Sequence, residues 1–292
     1  MRLRLIALAL ATAFAAPLAL AHNHGGDKTS AMAADHDSHE QAKAALDAAI
    51  AGEWRTPANV ARDVFRRPQQ TLTFFGVSPE MTVIEMTPGG GWYTEILAPY
   101  LREGGRYIGA VNDPATASSE RATNYFTGQN KALRDKFAAQ ADIYGGASLV
   151  EINPAAPVFG EAGSADAVLT FRNVHNWMMG GQGAGMFKGF FDVLKPGGVL
   201  GVVEHRAKTD VPDGDRSGYV SEAQVIAFAT AAGFVLDARS DINANPKDDT
   251  DHPNGVWTLP PSLNVPEGED KAAYEAIGES DRMTLRFVKP AA

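Results

Sequence analysis

Residues 83–97 read VIEMTPGGGWYTEIL. An apolar run closes on Glu85, Pro88 and the glycines Gly89, Gly90 and Gly91 turn the chain, and a helix-forming run starts near Trp92. A strand that passes through glycines into a helix is the opening of a βαβ unit. Glycine accepts positive φ and lets the backbone come within contact distance of a ligand. The nicotinamide pattern G-x-G-x-x-G is not met, because its third glycine would fall on Thr94, and no Gly-Lys-Ser/Thr phosphate loop is present.

Outward from this junction, strands and helices alternate. Strands are expected at 82–86 (TVIEM), 106–111 (RYIGAV), 148–152, 166–171 (DAVLTF), 199–204 (VLGVVE), 234–239 and 283–288 (MTLRFV). Helices are expected at 92–101, 118–139, 185–194 and 221–232, the last stopped by Gly233. That order predicts a parallel, doubly wound α/β sheet covered on both faces, with ligands outside the carboxyl ends of its strands. The stretch 241–281 is far longer than a hairpin needs, and Trp257, Leu259 and Leu263 within it predict a packed lid at the same edge. Ahead of the core domain, 82–292, residues 40–81 form a helical extension: a helix over 40–52, then Thr56 as an N-cap followed by Pro57.

Composition narrows the function. With 45% hydrophobic and 21% charged residues, the 292-residue chain can bury a large core. A net charge of −9 offers no basic footprint, so nucleic acid is not an expected partner. The absence of cysteine removes disulfides, thiolate metal sites and a cysteine nucleophile. Residues 1–21 place Arg2 and Arg4 before an apolar run that ends in Ala-Leu-Ala, the pattern of a cleavable signal peptide. The mature protein is then expected in the periplasm, free of membrane. Cleavage after Ala21 leaves His22-Asn23-His24 at the head of a His-rich tail, 22–39, read as disordered. There the α-amine, two amides and His24 could bind Cu(II) or Ni(II) in a plane, so His22 and His24 are candidate metal ligands.

The glycine loop resembles the first motif of class I S-adenosyl-L-methionine (SAM)-dependent methyltransferases, an acidic residue with glycines two, four and six places on. From Glu85 these places hold Thr87, Gly89 and Gly91. The chain is more narrowly similar to exported, predicted methyltransferases that carry PGGGWYTE (88–95), FRNVHNW (171–177) and GYV (218–220). The resemblance extends over most of 71–290 and includes the LKPGG turn at 194–198. It implies a Rossmann-like methyltransferase fold, a mostly parallel seven-stranded sheet with an antiparallel last strand. It implies SAM as cofactor, with Gly89, Gly90 and Gly91 against its amino-acid and ribose parts, Glu85 fixing the loop or the methionine ammonium, and Asp113 gripping the ribose hydroxyls.

The segment FRNVHNW leaves the fourth strand beside the glycine loop. Methyl transfer needs an aligned acceptor, a dry site and, for a hydroxyl or amine, a proton acceptor. His175 is the first candidate base and His205, at the end of the fifth strand, the second. Asn173 is expected to orient acceptor or cofactor and Arg172 to bind a substrate carboxylate bidentately. Tyr219, then Asp248 or Asp251, are further candidates, while Trp92 and Trp177 could stack on an adenine or an aromatic acceptor. The expected activity is methyl transfer to a small molecule. The alternative is a non-catalytic periplasmic protein that binds a small ligand or a metal on the same fold.

Overall fold

In the computed structural model, which describes residues 39–291, four helices precede the sheet: α1 (39–50), α2 (Pro57–Val60), α3 (Asp63–Arg66) and α4 (Pro68–Phe75). The alternating part follows as β1 (Thr82–Met86), α5 (Thr94–Leu101), β2 (Arg106–Asn112), α6 (Glu120–Ala139), α7 (Ala141–Tyr144), β3 (Ser148–Ile152), β4 (Ala165–Phe171), α8 (Val174–Met179) and α9 (Gly183–Val193). The chain closes with β5 (Leu194–Ala207), β6 (Val220–Ser221), α10 (Glu222–Ala232), β7 (Val235–Ser240), α11 (Lys271–Ile277) and β8 (Arg282–Val288). Residues 1–21, read from sequence as a signal peptide, and the candidate ligands His22 and His24 lie outside the described residues. No helix among the described residues is long and apolar enough to cross a membrane.

Strand order is β3-β2-β1-β4-β5-β8-β7, with β8 antiparallel to both of its neighbours. The expected seven strands are present, and the two-residue β6, parallel to β5 at Arg206 and Ala207, adds an eighth. Two further departures have local causes. β5 begins at Leu194, because Ala165 pairs with Leu194 and Ala167 with Val199, so the LKPGG segment is a bulge within the strand rather than a turn before it. α8 replaces the loop expected for FRNVHNW. Its first two amides are capped by Glu204, a carboxylate from β5 that local sequence cannot announce.

Both faces of the sheet are dry. One buries Ile84, Val168, Phe187, Phe190 and Phe287, and the other Leu72, Phe75, Ile96, Leu97 and Leu169. The short residues along β1, β2 and β4 run as near-continuous apolar strings, as a parallel sheet covered on both sides requires.

One carboxylate anchors the Thr56–Asn59 part of the N-terminal extension to this core. Glu95 on α5 is fully buried and accepts from Thr56 N (3.0 Å), Thr56 Oγ1 (2.6 Å) and Asn59 Nδ2 (3.0 Å), with Lys136 Nζ closing the set. Thr56 stands at the N-cap position of α2, as expected, but its hydroxyl donates to Glu95 instead of capping the helix. Trp54 Nε1 reaches the Glu95 carbonyl at 2.8 Å. Removing a carboxylate that pairs with buried donors costs about 3 kcal/mol. Glu95→Ala is therefore expected to lower the unfolding free energy by that amount, read as a lower urea midpoint at unchanged slope. A loss below about 1 kcal/mol would show that Glu95 is not what holds the extension.

Candidate active site at the carboxyl edge of the sheet

Register brings the candidate residues to one edge. Met86 pairs with Ala110 and with Thr170, Asn112 with Ile152, and Phe171 with Val203. The chain therefore leaves β1, β2, β4 and β5 at the same level, and the glycine loop, Asn112, the segment from Arg172 to Asn176, and His205 all lie there.

Backbone conformation in the glycine loop follows the motif. Gly89 (φ 58) and Gly91 (φ 81) are left-handed, and so is Thr87 (φ 47), which stands where the methyltransferase motif has its first glycine. A β-branched residue there is strained by roughly 1–3 kcal/mol. A side chain on Gly89 or Gly90 would meet no protein atom within 4 Å, whereas one on Gly91 would touch Leu133 and Thr94 at 3.5 Å. Gly89 and Gly90 thus present bare backbone to open space, while Gly91 serves packing.

Two adjoining cavities lie over this edge. One, of about 500 Å³, is lined by Asn112, Asn153, Asn176 and Trp177. The other, of about 390 Å³, is lined by Gly89, Gly90, Arg172, His175, His205 and Trp257. They share Thr87, Tyr125, Asn173 and Asn176. Asn173 ties the strands beneath this junction, its Nδ2 donating to the Met86 carbonyl (3.1 Å) and to Thr170 Oγ1 (3.3 Å). The dimensions and the mix of apolar walls with convergent polar groups are those of small-molecule sites.

His175 is fixed by its neighbour on β5. Nδ1 lies 3.0 Å from Glu204 Oε1. Because a carboxylate can only accept, Nδ1 carries the hydrogen and Nε2 is left as the acceptor. Glu204, fully buried, also accepts from Val174 N (2.6 Å) and His205 N (2.8 Å). His205 packs against His175 with ring centroids 5.3 Å apart and hydrogen-bonds Ser280 through Nδ1. Burial, then His175 and nearby arginines, hold the His205 imidazolium well below its ordinary pKa, so this ring is neutral near pH 7. Ligand atoms of His175, Glu204 and His205 come within 4.8 Å of one another. As a metal trio they fit poorly, since Glu204 is already committed to four N–H groups and arginines crowd the cavity.

Those arginines come from three directions. Arg62 and Arg66 descend from the extension, Arg172 leaves β4 in a left-handed conformation (φ 62), and Arg282 opens β8. Glu279, at the end of the lid, receives Arg62 Nε (2.6 Å), Arg282 Nη2 (2.9 Å) and Arg66 Nε (3.4 Å). Burial alone would raise its pKa, but Arg282, Arg66 and Arg62 outweigh that and hold it at about 2.

Several assignments made from sequence take different places. Glu85 lines neither cavity: it is buried beneath the loop, accepting from Tyr107 (2.7 Å) and Thr94 (2.9 Å). It fixes the strand–helix junction and is out of reach of a ligand ammonium. Asp113 lies outside the wall with Oδ1 accepting from Ala115 N (2.9 Å), and its neighbour Asn112 lines the cavity instead. Tyr219 borders a third cavity, of about 420 Å³, behind His175, but its hydroxyl donates to both oxygens of Asp248 at 2.9 Å. That pair latches the lid, as Asp248 also accepts from Asp281 N (2.7 Å) and hydrogen-bonds His252 Nε2 (2.9 Å). Asp251 is exposed on the lid surface. Trp92 lines the smaller cavity with the Arg55 and Arg66 guanidiniums 5.3 and 4.8 Å from its ring centroid, and it donates to the Asn59 carbonyl. Trp177 packs on Phe190 along one side of the larger cavity. Arg62, Arg66 and Glu279 have no motif to mark them, Asn112 stands at the ribose-gripping position for which the sequence favours its acidic neighbour Asp113, and the acidic end of β5 at Glu204 hints at a partner for histidine.

No protein-family model matches the sequence, and no curated protein resembles it. Solved structures do resemble the fold. The [4+2]-cyclase SpnF aligns at a TM-score of 0.55 with 14% identity over 82% of this chain and 86% of its own. A SAM-dependent methyltransferase from Aquifex aeolicus aligns at 0.50 with 14% identity over 78% and 93%. A Haloferax volcanii complex with the Trm112 methyltransferase activator aligns at 0.51 with 16% identity over 84% and 97%. The architecture is the α/β Rossmann-like methyltransferase fold. Since a cyclase shares it, the reaction has to be argued from the site.

Burial raises the Glu85 carboxyl from 4.5 to about 7, against hydrogen bonds from Tyr107 and Thr94 that favour its ionised form. A carboxyl with a raised folded pKa adds stability that is complete below about 4.5 and vanishes as pH rises through about 7. Glu85→Gln is expected to abolish this dependence. The stability difference between wild type and variant should move in the variant's favour by on the order of 3 kcal/mol across that window, read from denaturation midpoints.

Proposed function

We propose that this protein is a SAM-dependent methyltransferase acting on a small-molecule acceptor, exported to the periplasm by its leader. The carrying observation is that bare glycine backbone, the joined cavities and a carboxylate-oriented histidine share one rim. The residues present suit the cofactor: the open face of Gly89 and Gly90 would take its amino-acid and ribose portions, and the Asn112 cavity its adenine end. When bound, the cofactor supplies an electrophilic methyl carbon on a sulfonium. His175 Nε2 would take the proton from an acceptor hydroxyl or amine, with Glu204 holding the ring in place. His205, kept neutral by burial, would line the acceptor side without competing for that proton. The lid residues Val256 and Trp257 would exclude water above the reacting atoms.

Calorimetry of the mature chain with SAM and with S-adenosylhomocysteine tests the reading, which fails if neither gives heat. Gly89→Ala places a methyl where no protein atom stands, at a backbone cost of about 1 kcal/mol. It is expected to weaken S-adenosylhomocysteine by about tenfold or more, well beyond its effect on stability. His175→Asn should leave that affinity within about twofold while methyl transfer falls by roughly 10²–10⁴. Equal loss of both would make His175 a binding residue.

A further inference from the structure

We infer that the methyl acceptor carries an anionic group, a carboxylate or phosphate, held by Arg62, Arg66 and Arg172. This rests on the methyl-transfer reading for the position of the cofactor. The first ground is charge. Arg62, Arg66, Arg172 and Arg282 surround a single carboxylate, Glu279, so four positive groups face one negative group inside a chain whose net charge is −9. Uncompensated guanidinium charge withdrawn from water costs several kcal/mol per group.

The second ground is unused donors. Glu279 spends one oxygen on Arg62 Nε and the other on Arg282 Nη2 and Arg66 Nε. Arg62 Nη2 is buried with no hydrogen-bond partner. The Arg172 side chain forms no hydrogen bond or ion pair among the described residues: only its backbone N–H is engaged, by the Val203 carbonyl at 2.7 Å. Its backbone is left-handed (φ 62), a conformation a non-glycine residue adopts only under strain. Burial, then repulsion from Arg282, depress Arg172 to about 10, which leaves it protonated near neutrality. A planar fork with free N–H groups matches a carboxylate or phosphate bidentately.

Placement supplies the third ground. Arg62, Arg66 and Arg172 line the same cavity as Gly89, Gly90 and His175, so an anion there sits beside both the cofactor loop and the base. The cofactor's own carboxylate does not balance the site, because its ammonium and sulfonium bring more positive charge than that carboxylate removes. The missing negative charge falls to the acceptor.

The test is calorimetry of the mature chain at low ionic strength, using inorganic phosphate and succinate as probes, each with and without saturating S-adenosylhomocysteine. The expected result is that one anion binds alongside the nucleoside, that Arg172→Ala weakens this anion by about tenfold or more, and that the variant keeps its S-adenosylhomocysteine affinity within about twofold. The probe that binds tells carboxylate from phosphate. An anion that displaces S-adenosylhomocysteine would assign the arginines to the cofactor carboxylate and overturn the inference. So would anion binding unaffected by Arg172→Ala, or no anion binding while S-adenosylhomocysteine still binds. Anion binding that depends on Arg172 in a protein giving no heat with S-adenosylhomocysteine would overturn the methyl-transfer reading, and the acceptor assignment with it, while leaving an anion site in place.

Discussion

One buried carboxylate, Glu279, holds together the N-terminal extension and a lid-to-strand junction that lies far from it in sequence. It takes Arg62 and Arg66 from the extension and Arg282 from the start of the last strand, and it is itself the final turn of the lid. Three guanidiniums around one acid cannot be neutral, and that imbalance makes the cavity above them electropositive. Like charges at such distances in a poorly screened interior repel strongly unless something negative intervenes. The same interaction that closes the fold therefore prescribes the charge of what enters it.

The other buried acids divide the remaining work. Glu95 recruits the extension to α5 and so delivers the helix from which Arg62 and Arg66 project. Glu204 caps α8 and orients His175 in one stroke, because the amides of Val174 and His175 and the imidazole Nδ1 all point at its two oxygens. Glu85 braces the strand–helix junction beneath the loop whose glycines face the cavity, its pKa raised by burial to about 7. A charged carboxylate buried this deeply is tolerated only when fully hydrogen-bonded. Glu95 meets that condition through Thr56, Asn59 and Lys136, which outweigh its burial and hold its carboxyl below the usual range, and Glu204 is met by four N–H groups, whereas burial raises Glu85 to about 7.

Most of the sheet was legible because its signals are local. TVIEM and SLVEI coincide with β1 and β3 residue for residue, since short apolar strings bounded by turn residues leave little choice of period. Ser119 and Ser221 cap α6 and α10 close to where their sequences announce them. α8 went unread because its cap lies about thirty residues downstream on another strand. The cavity position after β2 belongs to Asn112 and not to Asp113, because β2 runs one residue further than its apolar pattern and the turn after it uses the aspartate as its own cap. Tyr219 was legible as a residue near the site, but its partner Asp248 lies in the lid, and that contact turns a candidate for chemistry into a latch.

By itself the sequence determined the alternation of strands and helices, the glycine bend after β1 and the presence of histidines at the ends of β4 and β5, because each follows from periodicity and backbone preference within a few residues. Tertiary structure alone decided which acid each polar group would serve. Arg62 stands 217 positions from Glu279 and His175 stands 29 from Glu204. Pairings over such distances exist only once the sheet has set its register and the core has excluded water, since in solvent each of these charges would be satisfied without the other.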